Sequence, residues 1–147
     1  MKNPLHITAE SLSERALLMS DTELAVSALL DEFIDLIRAR DPALIDNLWG
    51  DGEFILIGSE QNEICRTRAQ LAAKLTAVFE QPATLVFTFP DRRVRSAGAV
   101  AWLFAEGMLA RHDPQGQQQT RPYLISCVFE KADGMWRWRQ FLGSEPR

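Results

Sequence analysis

At 147 residues the chain has room for one domain of ordinary size and not for two. Apolar residues make up 46% and charged residues 24%, a globular mix that excludes a disordered chain. Sixteen Lys and Arg stand against 20 Asp and Glu, and a net charge of −4 gives no electrostatic footprint for nucleic acid.

Residues 8–19 carry a weak helical pattern with Leu12, Ala16 and Leu17 on one face, so residues 1–20 read as a helical N-terminal extension to a domain spanning 21–147. Ser20-Asp21-Thr22-Glu23 reads as a capping box, in which hydroxyl and carboxylate satisfy exposed N–H groups reciprocally. Behind it Val26, Leu29, Leu30, Phe33, Ile34 and Ile37 recur at helical spacing and predict a helix over 21–40, with Arg38 and Arg40 suited to the negative end of its dipole. Asp41-Pro42 opens a short helix over 42–49. After the turn Gly50-Asp51-Gly52, residues 53–58 predict a strand, 59–63 a turn and 64–66 a return strand. Thr67 caps a helix to Glu80 that turns Leu71, Leu75, Val78 and Phe79 inward.

From there the rhythm changes to period two. Strands are predicted at 84–96, 99–112, 120–132 and 135–143, joined by Gly98, Asp113-Pro114-Gln115-Gly116 and Asp133-Gly134. Helices gathered ahead of an antiparallel meander indicate an α+β fold. The long strands are apolar on more than one parity. Trp102, Phe104 and Met108 alternate with Ala101, Leu103, Ala105 and Leu109. A sheet apolar on both faces must be covered twice, which predicts a homodimer packed sheet to sheet, the alternative being a single chain with scattered exposed apolar residues.

Cys65 and Cys127 match neither a metal spacing nor a redox pair, and two lone thiols suit a reducing cytoplasm. The first residues lack the apolar run of a signal peptide, and no stretch approaches the roughly 18 apolar residues of a membrane span. Neither a glycine-rich phosphate loop nor a ligand cluster with metal spacing is present, so no nucleotide, flavin or metal cofactor is expected.

Phe54-x-x-Ile57-Gly58-Ser59 with Glu63 and the helix opening Thr67-Arg68 resembles the first hairpin of the SnoaL-like domain. Val100-Ala101-Trp102 with Ala105-Glu106-Gly107, and the ending from Gly134 to Pro146, are similar to the same family. The resemblance covers residues 21–146 and implies the nuclear transport factor 2-like cone, a curved antiparallel sheet wrapped around N-terminal helices with a cavity at its open end. It implies no single reaction, because the fold hosts isomerases, dehydratases, cyclases, transport adaptors and sensory domains; function has to be argued from the site.

One parity of the long strands should line the cavity. We take it as that of Trp102, Phe104, Glu106, Tyr123 and Cys127, with Trp138 and Gln140 from the last strand and Trp49 and Phe54 closing from the helical side. Glu106 interrupts an apolar face; buried, it would be raised toward neutrality and act as general base, whereas paired with Arg121, Arg137 or Arg139, or open to solvent, it is structural. Tyr123 could hold an enolate oxygen or be an ordinary core tyrosine. The tryptophans Trp102, Trp136 and Trp138 are a ligand wall or plain core. Asp31 and Asp35 form a solvated acidic stripe, and Arg92, Arg93 and Arg95 a small basic patch. Related sequences often carry histidine where this chain has Gln140 and Leu142, neither of which transfers protons near neutral pH. The readings are therefore a cone that binds a small apolar molecule, a cofactor-independent isomerase, dehydratase or cyclase built on Glu106, or an interaction module working through its sheet face.

Overall fold

A computed structural model describes residues 19–60 and 63–146. The helical pattern expected over 8–19 therefore lies, but for Met19, outside the described residues. Helix α1 (Asp21–Ala39) starts where the Ser20 hydroxyl accepts the Glu23 N–H at 3.1 Å. The contact supplies the Ser20 half of the expected capping box. Val26, Leu30, Phe33 and Ile37 form one buried stripe along it, three or four residues apart, and this face lies on the sheet. Arg40 ends the helix in the left-handed region, at φ 55°. Its guanidinium does more than complement the dipole. It donates to the carbonyls of Phe79 (3.1 Å) and Pro82 (2.9 Å) and to the Thr84 hydroxyl (3.2 Å), tying the end of α1 to the next long helix and the first long strand.

Helix α2 (Ala43–Leu48) follows, its first N–H capped by the Asp41 carboxylate at 2.9 Å. The short strands β1 (Ile55–Ile57) and β2 (Ile64–Cys65) form a hairpin. Helix α3 (Arg68–Glu80) opens with a complete capping box between Thr67 and Gln70. The meander β3 (Thr84–Ala97), β4 (Val100–His112), β5 (Gln118–Ala132) and β6 (Met135–Ser144) completes a six-stranded, curved and unclosed sheet in the order β2-β1-β6-β5-β4-β3. All neighbours are antiparallel except β1 and β6, which run parallel. Among the described residues no helix is long and apolar enough to cross a membrane.

Two irregularities shape the sheet. The β3–β4 register shifts between Thr88 and Asp91, where β3 carries Phe89-Pro90 past β4. Opposite, Gly107 is required: a Cβ there would stand 1.7 Å from the Thr88 carbonyl oxygen. The second shift falls between Val128 and Phe129, which pair with Gln140 and Trp138, so that Arg139 is the extra residue on β6. Extra residues of this kind bend a strand and re-aim a side chain. Arg139 swings out to grip Asp51 through both carboxylate oxygens (2.7 and 2.8 Å) and Glu130 at 3.0 Å, pinning the α2–β1 loop to the sheet.

The register also settles which residues share a face. Leu103 stands opposite Cys127, Ala105 opposite Ile125 and Gly107 opposite Tyr123, and these are buried beneath α1, Gly107 only in part. Trp102, Phe104 and Glu106 belong to the other, outer face, beside Val128, Ser126 and Leu124. The inner parity of β4 is thus the one with small side chains. Its small residues let α1 and the aromatic core of Phe33, Phe129, Trp138 and Phe141 approach the strand closely.

Candidate functional site

Where α1, α3, the β1–β2 hairpin and the concave sheet face meet, a cavity of about 310 Å³ remains open. Its floor is apolar. Phe33 and Ile37 come from α1, Leu75 and Val78 from α3, and Leu85, Phe87, Leu109 and Phe141 from the sheet. Its polar groups are Ser59, Glu60 and Glu63 on the hairpin, Lys74 on α3 and Gln81 just beyond its end, Arg111 at the end of β4, and Tyr123 on β5.

The two cations are held by carboxylates. Lys74 Nζ donates to Glu63 Oε1 at 2.7 Å, and Arg111 Nη2 donates to Glu145 Oε1 at 2.9 Å. Tyr123 is buried with its ring edge-on to Phe87, centroids 5.1 Å apart. Burial pushes its phenol up to about 12; the hydrogen bond with Ser59 pulls the other way, and the charges of Glu145 and Glu63 add to the rise. The hydroxyl therefore keeps its proton throughout the physiological range and can donate to an acceptor in the cavity. Gly143 makes room for it, since a Cβ at that position would lie 2.1 Å from the Tyr123 oxygen. Among the described residues no group of three or more His, Cys, Asp or Glu side chains is placed to hold a metal ion.

Of the residues the sequence pointed to, Tyr123 lines this cavity. Trp102 (45% exposed), Phe104 (37%) and Glu106 stand on the outer face of the sheet, away from it. The inner set on β4 is one residue out of step with the expected one, because the packed helix leaves room there for Ala101, Ala105 and Gly107 and not for the aromatics. Glu106 is exposed, opposite Asp91 and Leu124, so the burial that a role as general base depended on is absent. Gln140 shares the outer face, opposite Val128 and Ile55, and is no neighbour of Glu106. Cys127 and Trp138 are on the inner face but in solid core. Burial raises the Cys127 thiol well above its ordinary value, and the Trp138 ring packs 4.6 Å from Phe129 and 6.0 Å from Phe33. Trp49 and Phe54 meet edge to face at 5.9 Å and pack together outside the cavity lining. The basic patch also divides: Arg92 turns inward to the Ser27 hydroxyl (2.7 Å) and Asp31 (2.7 Å) on α1, while Arg93 and Arg95 lie on the outer face opposite Phe104 and Trp102.

Sequence reasoning missed Lys74 and Arg111, and each had a signal. Lys74 falls on the stripe of Leu71, Leu75 and Val78 at helical spacing, and Arg111 continues the inner parity of Leu103, Ala105 and Leu109. A charge that interrupts a buried stripe is worth following to its partner.

Comparison with known proteins agrees with this architecture. The family model of the SnoaL-like domain matches residues 26–147. No curated protein matches the sequence. Among solved structures, a protein of the nuclear transport factor 2-like family from Streptomyces avermitilis superposes with a TM-score of 0.75 at 14% identity, covering 87% of this chain and 99% of that one. A nuclear transport factor 2-like superfamily protein from Salmonella enterica gives 0.71 at 18% identity over 83% and 89% of the two chains. A nuclear transport factor 2-like protein with a cystatin-like fold from Novosphingobium aromaticivorans gives 0.70 at 17% identity over 94% and 90%. At these identities the likeness concerns the fold alone.

Proposed function

The chain belongs to the SnoaL-like domain family, and we propose that within this fold it binds a small, largely apolar molecule in the cavity under α1 and α3. The observation that carries the reading is the cavity itself, about 310 Å³ with an apolar floor and a few polar groups that include the Tyr123 hydroxyl. Pockets for small molecules have this make-up, and their volumes begin at about 300 Å³. An engineered apolar cavity of about 150 Å³ takes benzene, so a body of two fused rings is the fitting scale here. Tyr123 would donate to a carbonyl or hydroxyl oxygen of the bound molecule. A base acting on that molecule would have to come from the cavity wall, and Glu106 is on the wrong side of the sheet for it.

We further propose that the protein is a homodimer through the outer face. Ile55, Trp102, Phe104 and Met108 are exposed there, and the half-buried Leu124, Val128 and Leu142 share the face. Exposed apolar side chains gathered on one sheet face, with Arg93, Arg95 and Glu106 set among them, suit an interaction surface. The two buried free thiols, Cys65 and Cys127, fit a reducing cytoplasm as its location.

Calorimetric titration with 2-acetylnaphthalene, a neutral two-ring ketone, tests the binding. Saturable binding is expected, and it should be abolished by Leu75→Trp or Leu109→Trp, which push an indole into the cavity from opposite walls. Binding that survives both substitutions, in variants whose thermal melts show them folded, would place the ligand elsewhere.

A further inference from the structure

Two ion pairs of similar exposure bear on the cavity: in one both partners line it, and in the other Arg111 lines it while its partner stands on the chain's tail. Glu63 is held by Lys74, which projects from the middle of α3. Arg111 is held by Glu145, which lies just beyond the end of β6 at Ser144, on a tail without regular structure. Among the described residues Arg111 meets that carboxylate through Nη2 alone, and its Nε and Nη1 have no partner there. A guanidinium offers five N–H donors in a fork that fits a carboxylate two-point, so a single-point contact leaves most of its capacity unused.

Resting on the reading that the cavity binds a small apolar molecule, we propose that this molecule is a carboxylic acid whose carboxylate replaces Glu145 on Arg111. The exchange leaves the charge of the site unchanged, because one carboxylate departs into water as another enters. It costs little, since a partly exposed pair joined by a single contact contributes weakly, and the tail that carries Glu145 is not held in a helix or strand. A ligand ammonium would instead have to take Glu63 from a lysine anchored on a helix. A neutral ligand would leave the fork of Arg111 as it is. Tyr123, whose hydroxyl stays protonated, lines the same cavity and supplies a second donor to the incoming anion. Arg111 lines the cavity and Glu145 does not, so Glu145 is an internal competitor for the guanidinium from outside the lining until a ligand arrives.

The test compares 2-naphthoic acid, 2-acetylnaphthalene and 2-naphthylmethylamine by calorimetry on the full chain. The acid should bind tightest. Glu145→Gln should tighten the acid by about two- to fivefold, the factor an exposed ion pair represents, and leave the ketone unchanged. Arg111→Gln should weaken the acid by about tenfold or more and the ketone far less. An acid that binds no better than the ketone, or an affinity for it that Glu145→Gln does not alter, overturns this inference while the cavity reading stands. Failure of all three probes to bind would overturn the cavity reading and this inference with it.

Discussion

Removing the indole of Trp102 tests whether the outer face is covered by a second copy. The side chain is 45% exposed in the single chain. A tryptophan of roughly 250 Å² therefore has about 110 Å² left to hide. At about 25 cal/mol per Å² that area is worth about 2.5–3 kcal/mol once covered. In a two-fold dimer each interface residue occurs twice, so Trp102→Ala should cost about 5–6 kcal/mol of association, roughly four decades in the dissociation constant. Sedimentation velocity across a dilution series reads this directly. The parent chain should run as a dimer, and the variant should dissociate at concentrations where the parent holds. Because Trp102 stands outside the core, the monomer's own fold should survive, which a far-ultraviolet spectrum checks. A parent that is monomeric at every concentration, or a variant with the parent's dissociation constant, would refute the reasoning.

Further outcomes follow from the interior and the loops. Trp138 is 1% exposed, and its indole N–H has no hydrogen-bond partner among the described residues. Trp138→Ala should cost about 3–5 kcal/mol in a denaturant melt, whereas Trp138→Phe should cost far less because it also removes the orphaned donor. The Arg139 hydrogen bond holds the Asp51 carboxyl below its ordinary value against the opposing effect of burial. A carboxyl so depressed contributes stability in full above its unfolded value near 3.8 and loses it as pH falls through the lower folded value, so Asp51→Asn should flatten the fall in stability below pH 3.8 seen in acid denaturation. Tyr123 is the chain's single tyrosine, so phenolate absorbance reports on it alone. Its titration should centre near 12 and not near 10, with stability falling as pH rises above 10 because the unfolded chain gives up the proton first. Gly107→Ala should destabilise severely, since the new methyl meets the Thr88 carbonyl at 1.7 Å; a melt within a few degrees of the parent would mean that the β3 bulge yields easily.

Much of this architecture was legible in the residues. The apolar stripe of α1, the Thr67 cap of α3 and the hairpin chemistry between the long strands each act within a few residues. The observed elements fall within a few residues of the expected ones, and the cone follows from their order. The site was less legible, for two physical reasons. Side-chain parity on a strand shows which residues share a face but not which face the helix covers, and on β4 the deciding factor was clearance for α1, which favours Ala101, Ala105 and Gly107 over the aromatics. The extra residue on β6 then separates Trp138, which faces the core, from Gln140, which does not, although two positions apart they would ordinarily share a face. The ion pairs at the cavity also join residues of different elements, Glu63 with Lys74 and Arg111 with Glu145, and no local pattern announces such a pairing.

The guest belongs, on this reading, to the concave side of the sheet. Amide chemical shifts recorded during titration with a two-ring apolar probe would locate that guest residue by residue. Saturable shifts are expected at Leu75, Phe87, Leu109 and Tyr123, with Trp102, Phe104 and Glu106 unmoved. Shifts concentrated on those last three residues, or none at a saturating concentration of probe, would contradict that reading.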